Sequence, residues 1–374
     1  MSYEKEYIRG LRDVAACQTH LSFVDPLGAL YYVGYDLDRL VGRVSYEEVI
    51  HLLLFRKLPD ENELDALKQK LFSEMTLPNQ IIKSIKELSE NAHPMQVLRT
   101  SISKLSEYED NAKKLSEADS INRALNLISK VPTLVSAINR IRNNKEIVHP
   151  KKEYSFSENF LYMFRGKPAD EKEKDAIDRY MILHADHGLN ASTFAARVTA
   201  STLSDIYSSV ISAIGTLRGK LHGGASERVM HMLLNVHNKD VEDYIQGQLF
   251  DRKKIMGFGH RIYTVNDPRA RHLRKISKAL CQQIDRMELY YTARKIQNVV
   301  YNEKKIFPNV DFYAAIVLSA MDIPEEYFTL FFASSRITGW VTHILEQYSD
   351  SVLLRPTSRY IGAYGTKFVP INRR

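Results

Sequence analysis

The sequence predicts a mainly α-helical protein. Apolar residues recur at helical spacing along most of the chain, strand-type patterning is confined to one short stretch, and no strand–helix series or internal repeat is present. A length of 374 residues, 44% hydrophobic and 26% charged with 16 Gly and 12 Pro, is that of a globular chain rather than a disordered or fibrous one. At about 150 residues per unit the length points to roughly two or three units.

The strand signal lies between Thr19 and Tyr35. Apolar stretches on each side of Asp25-Pro26-Leu27-Gly28 predict a hairpin with a Pro-initiated turn. Ser45 and Glu48 form a capping-box pair ahead of Val49, Ile50, Leu52, Leu53 and Phe55, and Pro59 ends that helix. Asp60 and Glu63 open the next. Leu64, Leu67, Leu71, Ile81, Ile82, Ile85 and Leu88, set among charged residues, predict amphipathic helices over 61–90, and further helices fit 118–142 and 170–187. The stretch from Ala191 to Gly219 is rich in Ala, Ser and Thr, so its helices can approach closely, either as a buried pair within one domain or at a subunit interface. Aromatic, Gly and Pro residues from Tyr360 to Ile371 suggest a short arm across another surface.

Fifty-two Lys plus Arg against 45 Asp plus Glu leave a formal charge of +7, which favours anionic partners. No basic run of the nucleic-acid-binding kind occurs, so phosphates and carboxylates are the expected ligands rather than nucleic acid. Cys17 and Cys281 give no CxxC spacing and no disulfide framework, the opening MSYEKEYIRGLRD lacks an apolar signal core, and no apolar run reaches the ~18 residues of a membrane span. A cytoplasmic location with no membrane contact is the expectation.

Four histidines stand beside turn residues; the others, His343 among them, read as surface or satisfied structural groups. His184 and His187, three apart at a helix end, would suit a divalent metal with Asp186, but no third ligand at helical spacing follows and no HExxH occurs, so no metal is expected. His222 precedes Gly223 and Gly224, where backbone can come close to a bound molecule, and a helix starting near Ser226 aims its amides at that spot. His260 follows Gly257-Phe258-Gly259; lacking a third glycine and a βαβ unit, this is not a dinucleotide fingerprint, yet its exposed amides can cradle phosphate or adenine. Asp311, before an apolar helix, reads either as an N-cap or as a partly desolvated carboxylate base. Arg336, Arg355 and Arg359 lie in apolar or turn settings, and a guanidinium there is a fork for carboxylate or phosphate.

Taken in order, HADHGLNAST, LHGGA, MGFGHRIY with DPRA, PNVDFY, SSRITGW and LLRP resemble the citrate synthase family, with similarity from GLRDV near residue 10 to the tail and strongest over 180–360. The resemblance implies a helical homodimer whose subunits have a large domain (1–224 and 321–374) and a smaller one (225–320) that closes over substrate. It implies condensation of acetyl-CoA with oxaloacetate, the CoA thioester being a substrate and no cofactor being needed; 2-methylcitrate synthase, using propionyl-CoA, is the alternative, and a non-catalytic anion-binding relative a more remote one. By motif match Asp311 is the base, His222 the donor to the enolate and His260 the group that polarises the ketone. His187, Arg269, Arg336 and Arg355 then hold the oxaloacetate carboxylates, Ile255, Met256, Gly257, Phe258 and Gly259 receive the adenine of CoA, and Lys304 lies near a CoA phosphate. Two departures bear on CoA affinity: Lys220 where many relatives have proline, and Thr264 where many have Lys or Arg.

Overall fold

The computed structural model describes residues 7–108, 116–236 and 240–374. The expected hairpin forms as β1 (Ser22–Asp25) and β2 (Ala29–Tyr32), antiparallel with Ser22 opposite Tyr32, and a two-residue β3 (Tyr35–Asp36), which the sequence pattern did not announce, extends the sheet in the order β1-β2-β3. At its tip the Gly28 amide donates to the Asp25 carbonyl at 2.9 Å, and Gly28 sits at φ +94°. A side chain there would also meet Val265 Cγ2 at 2.7 Å, so glycine is required twice over.

Helices follow for the rest of the chain: α1 (Leu37–Leu40), α2 (Tyr46–Phe55), α3 (Glu61–Glu74), α4 (Asn79–Ser89), α5 (Pro94–Leu105), α6 (Glu117–Arg142), α7 (Phe156–Arg165) and α8 (Glu171–His184). The expected capping boxes are present, Ser45 with Glu48 opening α2 and Asp60 with Glu63 opening α3. The amphipathic stretch 61–90 is two helices, α3 ending at Glu74 and α4 opening behind Pro78, which stands at its N-cap. The helix expected over 170–187 ends at His184, which leaves Asp186 and His187 on a loop.

The small-residue stretch folds into α9 (Ala191–Ala200) and α10 (Ile206–Leu217), which pack on each other more extensively than any other pair of elements. Next come α11 (Ala225–Val236), α12 (Val241–Phe250), α13 (Pro268–Gln283), α14 (Met287–Lys304), α15 (Val310–Ala320) and α16 (Phe328–Asp350). Helix α16 is buried around most of its circumference and is the axis of the larger helical group, touching α2, α5, α6, α8, α9 and α10. The second group is α11–α15, in which α15 packs on α11 and α13, and α14 packs on α12 and α13. The groups meet where α13 lies on α8 and α11 on α16.

Gly339 shows how tightly α16 takes its neighbours: a Cβ there would stand 2.5 Å from both the Ala185 carbonyl oxygen and Asp186 Oδ1. Helix propensity alone favours Ala over Gly by about 1 kcal/mol, but overpacking against fixed backbone costs about 1–3 kcal/mol. Gly339→Ala is therefore expected to lower the midpoint of urea unfolding rather than raise it.

Candidate active site

The loop after α8 carries His187. Its Nε2 lies 3.2 Å from the Tyr263 hydroxyl, and its ring stands edge-on to that of His260 with centroids 5.2 Å apart. His260 accepts the backbone N–H groups of Ile262 (3.1 Å) and Tyr263 (3.0 Å) at Nδ1, so in the neutral ring the proton resides on Nε2. His184, by contrast, turns away: Nδ1 meets the Tyr180 carbonyl at 2.7 Å and the ring stacks on Tyr180 at 4.1 Å. The two histidines singled out as a metal pair thus face different surroundings. Among the described residues no group of three or more His, Cys, Asp or Glu side chains is placed to hold a metal ion.

Two buried guanidiniums adjoin these rings. Arg269 is 3% exposed and forked onto Asp267 (Nε to Oδ1 3.0 Å, NH2 to Oδ2 2.8 Å); burial works against its charge, and Asp267 more than restores it. Arg336, 1% exposed, donates from Nε to the His184 carbonyl at 2.7 Å and lies over the Phe332 ring at 4.6 Å, while its NH2 has no partner. Burial pulls Arg336 down to about 10. An unpaired guanidinium N–H in a dry setting is a strong donor awaiting an anion.

All three expected histidines are held neutral. Burial and the charge of Arg269 push His260 down to about 4, burial and Arg336 push His222 to about 4, and burial with Arg269, His260 and Arg336 takes His187 well below its ordinary value. His222 Nε2 is 2.8 Å from Ser192 Oγ, which also lies 2.7 Å from Asn190 Oδ1 and accepts from Trp340 Nε1 at 3.1 Å. The single Ser192 proton goes either to Asn190 or to His222, and this choice sets the His222 tautomer.

Asp311 is not the cap of α15. Asn309 is, accepting the Asp311 amide at 3.1 Å, so the Asp311 carboxylate is released for other work. Ser226 Oγ, in the first turn of α11, donates to Asp311 Oδ1 at 2.7 Å. Burial raises the Asp311 pKa, against the opposing pull of Ser226 and of Arg269. A carboxylate so placed is a stronger base than one in water.

The loop 255–259 is pinned to the segment before α15. Asn309 N donates to Gly257 O (2.9 Å), Gly259 N to Phe307 O (2.9 Å) and Asn309 Nδ2 to Gly259 O (3.0 Å). Gly257 and Gly259 both have φ +78°, and a Cβ on Gly257 would stand 2.7 Å from Val229 Cγ2. Ile255 is buried, while Met256, Phe258 and Gly259 are part-exposed. Lys304 is exposed at the end of α14, three residues ahead of Phe307. Lys220 is exposed beside this region, its carbonyl accepting from Arg228, which also reaches Met256 Sδ at 3.3 Å. Thr264 instead grips the hairpin, giving the Pro26 carbonyl both its amide and its hydroxyl at 3.1 Å.

One expected ligand is not brought in. Arg355 is exposed on the extended segment that leaves α16, anchored where Leu354 N donates to Ser201 Oγ at 3.1 Å, and within one chain it does not join Arg269 and Arg336. Arg359, farther along the same segment, is exposed as well. Conversely, Ser192, Ser226, Asp267 and Tyr263 belong to the site although sequence reasoning gave them no role. Only Asp267, two residues before Arg269 in a Pro-started helix, carried a readable signal, that of an N-cap.

Comparison with known proteins shows the family of the chain. The family model described as citrate synthase, C-terminal domain, matches residues 10–357. Citrate synthase 2 of Bacillus subtilis is 46% identical over 98% of this chain and 99% of its own length, and the citrate/2-methylcitrate synthase of the same organism is 39% identical over 98% and 100%. A citrate synthase of Thermoplasma acidophilum, solved as a ternary complex with carboxymethyl coenzyme A and oxaloacetate, superposes with a TM-score of 0.92 at 31% identity, covering 99% of this chain and 100% of that one. The chain belongs to the citrate synthase family.

Proposed function

We propose that this enzyme condenses acetyl-CoA with oxaloacetate and water, giving citrate and CoA. The observation that carries the reading is the mutual electrostatic influence of a desolvated carboxylate, neutral imidazoles and two buried guanidiniums: Arg269 acts on Asp311 and His260, Arg336 on His222, and Arg336 keeps an unpartnered N–H. The methyl group next to a thioester is a weak carbon acid, so its deprotonation needs a base in a dry site together with a donor to the developing enolate oxygen. Asp311 takes the proton. His222 serves as the donor when Ser192 gives its proton to Nε2, which leaves the imidazole proton on Nδ1 for the thioester oxygen. The thioester α-carbon then attacks the ketone carbon of oxaloacetate, and His260 gives its Nε2 proton to the ketone oxygen as the carbon–carbon bond forms. Water finally cleaves the C–S bond of citryl-CoA, releasing citrate and the thiol.

Arg269, Arg336 and His187 are assigned to the oxaloacetate carboxylates. The Ile255–Gly259 loop is assigned to the adenine and Lys304 to a CoA phosphate; CoA is a substrate here, and no cofactor is invoked. Arg355 requires a second copy of the chain to supply it, so the reading includes a homodimer in which the C-terminal segment of one subunit reaches the other's pocket. It also includes closure of residues 225–320 over the remainder of the chain. Among the described residues no helix is long and apolar enough to cross a membrane, and we place the enzyme in the cytoplasm. A second reading, 2-methylcitrate formation from propionyl-CoA, is favoured by the citrate/2-methylcitrate synthase relative. One added methylene changes selectivity by only about 1–3 kcal/mol.

With saturating oxaloacetate, kcat/KM is expected to be higher for acetyl-CoA than for propionyl-CoA; the reverse order selects the second reading. Asp311→Asn is expected to lose about 10²–10⁴-fold in kcat while still binding oxaloacetate by calorimetry.

The histidines supply a third test. His222 and His260, both near 4, should show ring resonances of the neutral form at pH 5.5, assigned with His222→Gln and His260→Gln. Because their folded values lie below the ordinary 6.5, the unfolded chain binds more protons between the two, and their contribution to stability is full above about 6.5 and falls as the pH drops toward 4.

A further inference from the structure

His343 was assigned a plain structural role in the sequence, and the condensation chemistry makes no use of it or of Asp186. Both are 0% exposed, yet they face each other, His343 Nε2 standing 3.3 Å from Asp186 Oδ2. The tautomer follows from the neighbours. Arg197 NH1 lies 3.3 Å from His343 Nδ1, and a guanidinium only donates, so Nδ1 accepts and Nε2 carries the proton that goes to Asp186. Arg197 is itself fixed by Glu346 (2.8 Å) and Gln347 (2.9 Å).

Asp186 Oδ2 collects two further donors, the Ser22 hydroxyl from β1 and the Gly188 amide at 3.2 Å, and Ser22 Oγ accepts that same Gly188 amide at 2.9 Å. On the other side, Tyr32 of β2 sets its hydroxyl against the Ile182 and Asp186 carbonyls at 3.1 and 3.0 Å. Helix α16 completes the clamp with residues spaced i, i+3 and i+7 on one face. Arg336 Nε holds the His184 carbonyl (2.7 Å), Gly339 N holds the Ala185 carbonyl (3.1 Å), and His343 holds the Asp186 side chain. The last residue of α8 and the two that follow it are therefore docked on one face of one helix, and the next residue in the loop is His187.

We infer that Asp186, gripped by His343 and Ser22, is the positioning residue that sets His187 against Arg336 for oxaloacetate. Asp186 acts through His187; it carries the register of α16 into the loop. The inference rests on the proposed role of His187, and the experiment separates the two. His187→Gln serves as the reference for the site reading, and His343→Leu removes the Nε2 donor. His343→Gln supplies an amide N–H toward Asp186 and an amide oxygen toward Arg197. Ser22→Ala removes a single donor near the surface.

Steady-state kinetics of each variant, varying oxaloacetate and acetyl-CoA separately, decide the matter. His343→Leu is expected to raise KM for oxaloacetate about tenfold, with acetyl-CoA KM unchanged, from losing a hydrogen bond to a charged group. His343→Gln is expected to restore most of it, and Ser22→Ala to raise the same constant a few-fold. If His187→Gln leaves oxaloacetate KM and kcat unchanged, the role of His187 itself is wrong. If His187→Gln impairs oxaloacetate use while His343→Leu and Ser22→Ala leave it at parental values, or raise both KM values together, the positioning inference is overturned. Should His343→Leu not fold, the Ser22→Ala comparison decides alone.

Discussion

Two guanidiniums, Arg269 and Arg336, sit in a region from which the chain itself excludes water, and the state of the surrounding groups follows from that. Pulling Arg336 down to about 10 from an ordinary 12.5 corresponds to about 3 kcal/mol of cost to its charged form, since each pH unit is about 1.36 kcal/mol. The protein offsets this only in part. Asp267 neutralises Arg269 with a fork, whereas Arg336 meets a backbone carbonyl and an aromatic face and keeps an unpaired N–H. Asp186 acts on Arg336 through space to favour its charge, yet the Arg336 NH2 remains a donor that a carboxylate could satisfy. Burial, with the guanidinium charges acting in the same direction, keeps His187, His222 and His260 unprotonated, the form in which an imidazole with one N–H can donate to a carbonyl oxygen.

The proposed base, Asp311, has a different environment. Asp311 stands in the first turn of α15 but is excused from capping by Asn309, and a hydroxyl rather than a cation is its immediate partner. A lysine or arginine in the place of Ser226 would lower its pKa and weaken it as a base. Arg269 acts on Asp311 in the same direction as Ser226 but less strongly, and burial outweighs both.

Much of this was legible in the sequence. The hairpin, the capping boxes of α2 and α3, and the helical class follow from local chemistry, since Ser45 with Glu48 and Asp25-Pro26-Leu27-Gly28 act within a few residues. The motif residues His187, His222, His260, Asp311, Arg269 and Arg336 stand beside glycines, prolines or aromatics that mark unusual backbone or burial. Illegible were the partners contributed from far along the chain. Ser192 meets His222 across 30 residues and Ser226 meets Asp311 across 85, and nothing near either serine announces the pairing. The end of α8 was misplaced by three residues for the same reason. The loop 185–188 is fixed not by its own helical preference but by Tyr32 and Ser22 of the hairpin and by Gly339 and His343 of α16.

Thr264 adds a side-chain contact to a backbone one: it binds the hairpin turn through amide and hydroxyl at the Pro26 carbonyl, while Val265 packs over Gly28 at a distance no side chain on that glycine would tolerate. Asp38 adds a second tie to the same part of the chain, accepting from Arg271 at 2.9 Å and lying 2.7 Å from His272. The hairpin therefore touches the site twice. Its strands brace the loop that bears His187, and its turn holds the segment that runs from His260 to Arg269. A small sheet in an otherwise helical protein is well suited to this, because its paired backbone fixes the spacing between those two contacts without depending on side-chain packing.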